Sequence, residues 1–104
     1  MKVAYLGVRY QMVQPRSTLS EELGLESGAF ISASDGPAVL AGSPASEADI
    51  RGGDVLLSID DEELNMRNTL AEIISQYRPG DTVTIELSRD GQNRTVNVQL
   101  GERP

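Results

Sequence analysis

Apolar and polar positions alternate with period two in several short stretches of this chain, and adopt helical spacing in one longer one. From Tyr5 onward, Leu6, Val8 and Tyr10 fall on one face and Gly7, Arg9 and Gln11 on the other. Residues 28–34 read as a strand with the only Phe at its centre, closed by Asp35-Gly36-Pro37. In residues 54–59 the alternation places Val55, Leu57 and Ile59 opposite Leu56 and Ser58, and Asp60-Asp61 fits a tight turn into a short return strand at 62–64. Residues 82–88 and 95–100 alternate again, joined by the strong hairpin signal Asp90-Gly91. Leu70, Ile73, Ile74 and Tyr77 recur at helical spacing, which predicts a helix capped by Asn65 or Asn68, running from about Met66 to about Tyr77 and stopped by Pro79-Gly80. Thr18 or Ser20 can cap a short helix ending at Gly24, and Ser43 with Pro44 opens another that Gly52-Gly53 ends. Residues 38–42 suit a small strand or a packed loop. The sum is an α+β, mainly β chain: a small antiparallel barrel or sandwich of five to six strands capped by two to three helices.

Length and composition narrow the function. At 104 residues the chain, 1–104, is expected to fold as a single domain, with 38% hydrophobic and 24% charged residues in a globular balance. There is no Cys and no His, so thiolate nucleophiles, disulfides, imidazole bases and Cys/His zinc sites are excluded. Ser32, Ser34, Ser43 and Ser58 lack a base or a Gly-x-Ser-x-Gly elbow, so no catalytic residue is assigned. The acids 60–63 read as a solvated turn rather than converging ligands; no metal and no cofactor is expected. A net charge of −7 argues against nucleic acid as a partner. Residues 1–20 nevertheless carry Lys2, Arg9 and Arg16 and no acid, a local positive region that suits an anionic partner. No apolar run is long enough to span a membrane and no signal peptide is visible; the start and the polar end would also suit a domain cut from a larger protein.

The candidate chemistry lies in Tyr5-Leu6-Gly7-Val8. An aromatic-apolar-Gly-apolar turn feeding a strand can aim several backbone N–H groups into one concavity, with glycine permitting the unusual dihedrals and close approach this needs. The same residues could also make an ordinary edge strand whose glycine forms a bulge.

Three motifs give these residues a context. The stretch from Gly42 to Asp60, GSPASEADIRGGDVLLSID, resembles the G-S-P-A-x-x-A-G-[LI]-x-x-G-D-[VI]-[IL]-x-x-[IV]-[ND] stretch of PDZ domains, especially bacterial ones. Tyr5-Leu6-Gly7-Val8 resembles their carboxylate-binding loop. Tyr77-Arg78-Pro79-Gly80-Asp81-Thr82-Val83 followed by Arg89-Asp90-Gly91 is similar to the C-terminal PDZ domains of HtrA-type serine proteases. The order of elements resembles the permuted bacterial arrangement. Asp49 and Asp61 stand where that family usually has Gly, and residues 35–41 look longer than usual.

The resemblance implies that a peptide C-terminus is added as a strand, its carboxylate held by Leu6, Gly7 and Val8 amides in a loop shaped by Tyr5. Arg9, Tyr10 and Met12 would continue the groove. Arg67 and Ala71 would face it from the helix, with Leu70 and Ile74 between groove and core. It also implies a regulatory module that is not itself an enzyme, the substrate-sensing domain of an HtrA-type serine protease in the periplasm or another extracytoplasmic space. Its partners would be peptide or protein C-termini, unfolded segments and the parent chain's protease domain, with a membrane involved only through the parent. The alternatives are a PDZ domain of a membrane or processing protease or of a secretion scaffold, and, in another class, a structural docking domain that contacts its own protease or neighbouring subunits.

Overall fold

The computed structural model describes residues 4–33 and 36–102. The expected strand end at Ser34, the turn residue Asp35 and the basic Lys2 lie outside the described residues. Eleven elements follow in chain order: β1 (Ala4–Tyr5), β2 (Tyr10–Met12), α1 (Thr18–Leu23), β3 (Ala29–Ile31), α2 (Pro44–Glu47), β4 (Val55–Ile59), β5 (Glu62–Glu63), α3 (Leu70–Ile74), β6 (Thr82–Arg89), β7 (Gln92–Gln99) and β8 (Gly101–Glu102). All pairings are antiparallel. The main sheet runs β2-β3-β4-β6-β7 with β5 paired to β4, while β1 and β8 form a separate two-stranded sheet. Among the described residues eight strands appear where five to six were expected: the strand expected from Tyr5 onward splits into β1 and β2, and β8, a two-residue pairing with β1, is too short to leave an alternation pattern.

The hairpins follow from their turn residues. Asp90 and Gly91 have φ of 53° and 79°, and Asp60 and Asp61 φ of 49° and 69°, the left-handed pair that matches strand twist across a two-residue loop. Asp61 adopts the conformation in place of glycine. Asp60 anchors the turn, its Oδ1 accepting from Thr84 N at 2.7 Å and its Oδ2 from the Tyr77 hydroxyl at 3.0 Å.

The core comes from the period-two pattern with one exception. Val83, Ile85 and Leu87 of β6 point inward with Val98 and Leu100. In β4 the register shifts between Leu56 and Ser58, so Leu56 and Ile59 both enter the core cluster despite their odd spacing. Strict alternation put these two on opposite faces; the bulge at Leu57 brings them together.

Helix ends were the least legible feature. Gly24, with φ 70°, closes α1 as its sequence suggests, but the N-cap is Ser17, whose Oγ accepts from Ser20 N at 3.1 Å. Ser43 caps α2 with Pro44 at its start, and that helix ends at Glu47 with Ala48 as its C-cap, before Gly52-Gly53. The third helix begins at Leu70 behind an N-cap Thr69, later than the start near Met66 expected from its apolar spacing, and ends at Ile74. Asn65 and Asn68 cannot serve as caps because their backbones bond each other, at 3.1 and 3.0 Å, in a turn that Asn65 Oδ1 closes onto Arg67 N. Beyond Ile74 the chain tightens into i to i+3 bonds, Gln76 N to Ile73 O and Tyr77 N to Ile74 O.

An ion-pair clamp holds the segment after α2. The Arg89 guanidinium grips Asp54 with two bonds, of 2.8 and 2.7 Å, and donates to the Asp49 carbonyl at 2.7 Å. Asp54 is 2% exposed and also accepts from Arg51 N at 2.9 Å. Asp49, left-handed at φ 66°, is held there by Arg51 and Arg89, which explains how it replaces glycine. The Asp54 hydrogen bonds raise the Arg89 pKa further, keeping it charged. No helix among the described residues is long and apolar enough to cross a membrane.

Candidate functional site: a groove between β2 and α3

The loop at Tyr5-Leu6-Gly7-Val8 is pinned by its carbonyls. Leu6 O accepts from Ala45 N at 2.9 Å, inside α2, and Gly7 O accepts from Leu40 N at 3.0 Å. Val8 bridges Val39, and Arg9 N donates to Ala38 O at 2.7 Å, so residues 38–40 act as a single-bridge strand behind the loop. Gly7 has φ +86°, and a Cβ there would lie 2.2 Å from Ser43 Cβ and 2.8 Å from its Oγ. The glycine is thus required by the close approach of the α2 cap as well as by its own dihedral. With the carbonyls fixed on the protein side, the amides of Leu6, Gly7 and Val8 donate to no backbone carbonyl among the described residues. Unpaired N–H groups are uncommon, and three in succession make a concavity suited to an anion.

The adjoining strand leaves one edge open. On its β3 side, Arg9 O accepts from Ser32 N and Val13 N donates to Gly28 O. Alternation then turns the backbone groups of Tyr10 and Met12 to the other edge, where no strand pairs among the described residues. An added chain would find free donors and acceptors there.

The third side is α3. Thr69 caps it, its hydroxyl accepting from Glu72 N at 3.3 Å, and the pattern Thr-x-x-Glu over residues 69–72 is the local signal for that start. Ile73 and Ile74 anchor the helix in the core, which leaves Ala71 exposed on the groove side. Between loop, strand and helix lies an apolar hollow of about 180 Å³, lined by Ala4, Tyr5, Leu6, Gly7, Val8, Tyr10, Leu70, Ala71 and Ile74. An engineered apolar cavity of roughly 150 Å³ accepts one benzene. This hollow therefore suits one medium or large apolar side chain, immediately beside the three amides.

Of the residues singled out from the sequence, Tyr5, Leu6, Gly7, Val8, Tyr10, Leu70, Ala71 and Ile74 meet at this hollow. Met12 continues β2, half-buried against the core, and Arg9 is exposed on the strand's opposite face; neither lines it. Arg67 is misplaced by the sequence reading. It precedes α3, in the turn built by Asn65, and borders a different hollow with Val13, Pro15 and Met66. Ala4 was missed, because a small residue before the motif carries no signal of its own. The cross-groove bond from Ala71 N to the Tyr10 hydroxyl, 3.0 Å, was missed as well.

The family model for the PDZ domain matches residues 4–100. The chain belongs to the PDZ domain family. Among curated relatives it is 35% identical over 103 residues to a probable periplasmic serine endoprotease, DegP-like, from Rhizobium meliloti (strain 1021), covering 96% of this chain and 19% of that protein. A protein of the same name from Marinomonas sp. (strain MWYL1) is 34% identical over 103 residues, with 97% and 20% covered. The chain thus spans about a fifth of the length of these relatives. Among solved structures, the HtrA-type protease AlgW with decapeptide superposes with a TM-score of 0.79 at 28% identity, over 99% of this PDZ chain and 30% of that chain. The HtrA3 PDZ domain bound to a phage-derived ligand (FGRWV) gives a TM-score of 0.76 over 99% of this chain and 89% of that one; at 17% identity it speaks to the fold alone. What the chain shares with the proteases is a PDZ domain, their non-catalytic region.

Proposed function

We propose that residues 1–104 act as one peptide-binding regulatory unit, the substrate-sensing domain of an HtrA-type serine protease working outside the cytoplasm. A peptide C-terminus, or an unfolded segment presenting one, adds as a strand to the open edge of β2. Its carboxylate accepts hydrogen bonds from Leu6, Gly7 and Val8, and its last side chain enters the hollow. The observation that carries this reading is three successive amides that donate to no backbone carbonyl among the described residues, beside a hollow sized for one apolar side chain. Relatives named periplasmic serine endoproteases and a neighbour solved with a decapeptide support the parent and the ligand class.

The test is a titration with matched peptides ending in one apolar residue, as free acid and as amide. Amidation is expected to weaken binding at least about tenfold, roughly 1.4 kcal/mol. Equal affinities would remove the carboxylate from the reading and leave a docking domain as the better account.

A further inference from the structure

The groove is barred by its own side chain. Tyr10 projects from β2 across to α3, where its hydroxyl accepts from Ala71 N at 3.0 Å. Ala71 is the second residue of a five-residue helix, so its amide is one of the donors a helix start leaves without an intrahelical partner. Thr69 satisfies the next one, at Glu72, and Tyr10 satisfies this one from the far wall. The ring cannot leave the groove without freeing the Ala71 amide, while Thr69 still caps α3.

Strand geometry fixes what the bar does to a ligand. Side chains of an added strand alternate, so if the last one enters the hollow, the next on that face belongs to the antepenultimate residue, about 7 Å further along β2. The hollow is bounded in that direction by Tyr10. Resting on the peptide-binding reading above, we propose that Tyr10 is a selectivity residue: it admits a small side chain two positions before the peptide's C-terminus and rejects a large one. A large side chain must displace the ring and break its bond to Ala71, whereas a small one lies beside the ring with the bond intact.

The experiment uses free-acid hexapeptides with a common apolar last residue and either Ala or Phe at the antepenultimate position. These are titrated against the wild-type chain, Tyr10→Phe and Tyr10→Ala. Wild type is expected to favour the Ala peptide by at least about fivefold. Tyr10→Phe keeps the ring and loses the bond, so the preference should shrink by about two- to tenfold, the worth of one neutral hydrogen bond, and exchange of the Ala71 amide should accelerate. Tyr10→Ala should abolish or reverse the preference while the demand for a free carboxylate stays. If Tyr10→Ala fails to melt cooperatively, Tyr10→Phe alone decides. Equal binding of both peptides to wild type, or a preference that survives both substitutions, would overturn the proposal with peptide binding itself intact. If no free-acid peptide binds, or amidation is without effect, the peptide-binding reading fails and this inference falls with it.

Discussion

Two regions flank α2 and treat their polar groups in opposite ways. After the helix, Asp54, Arg89, Asp49 and Arg51 consume one another's donors and acceptors in a partly buried cluster. Before it, Ser43 backs a loop whose Leu6 and Gly7 carbonyls are bonded while three consecutive amides donate to no described carbonyl. A clamp with every strong group satisfied serves rigidity, since a buried charge left alone is costly. A loop with fixed carbonyls and idle donors is instead a pre-organised receptor, whose missing acceptor must come from outside. Using the same helix to brace both regions lets the receptor keep its shape while empty.

The largest expected effect sharpens this contrast from the clamp side. Arg89→Met leaves the Asp54 carboxylate buried at 2% exposure without its cation and should destabilise the fold by about 3–5 kcal/mol. Denaturant unfolding measures the loss, and the peptide affinity of the folded fraction should stay within about twofold. A marked loss of affinity would mean that the two regions are not independent.

Gly7→Ala comes next and tests how far the receptor is also structural. Left-handed strain and overpacking against Ser43, a Cβ contact of 2.2 Å, should together cost about 2–4 kcal/mol, and binding should weaken in the same variant. An unchanged unfolding midpoint would show that the loop is far softer than its packing implies.

Ala71→Trp addresses the receptor without touching the braces. Because Ala71 is exposed and lines the hollow, the indole should block the last-residue position, lowering affinity at least about tenfold while stability moves by less than about 0.5 kcal/mol. Paired titration and melting check it; an unfolded variant would place Ala71 on the core side.

The smallest effect concerns the Asp60 turn. Burial, then the hydrogen bond to Asp60, then the charges of Asp60, Glu62 and Asp81 push the Tyr77 hydroxyl from 10.0 up to about 12. The unfolded chain therefore releases this proton first. Its contribution to stability is complete below about pH 10 and is lost as pH rises towards 12. Tyr77→Phe should flatten that decline in unfolding scans, and an unaltered slope would assign it to other groups.

The two regions also differ in how far sequence revealed them. The loop is contiguous, so Tyr5-Leu6-Gly7-Val8 could be recognised together, just as Ser43-Pro44 and Asp90-Gly91 announce a helix start and a hairpin. The clamp joins Asp54 to Arg89 across 35 positions, and the bar joins Tyr10 to Ala71 across 61, distances over which local patterns carry no information. The bulge in β4 was invisible because alternation assumes an unbroken register. The start of α3 was legible in principle. Thr69 and Glu72 carried the capping pattern, but the nearer asparagines competed for it and moved the expected helix back onto Arg67.

The central claim is that the amides of Leu6, Gly7 and Val8 await a carboxylate. Backbone amide exchange, followed by NMR with and without a peptide of apolar C-terminus, tests it at those three positions. These amides should exchange rapidly in the free chain, become protected with the free-acid peptide, and remain fast with its amidated twin. Protection of all three before peptide is added, or equal protection by both peptides, would contradict the account.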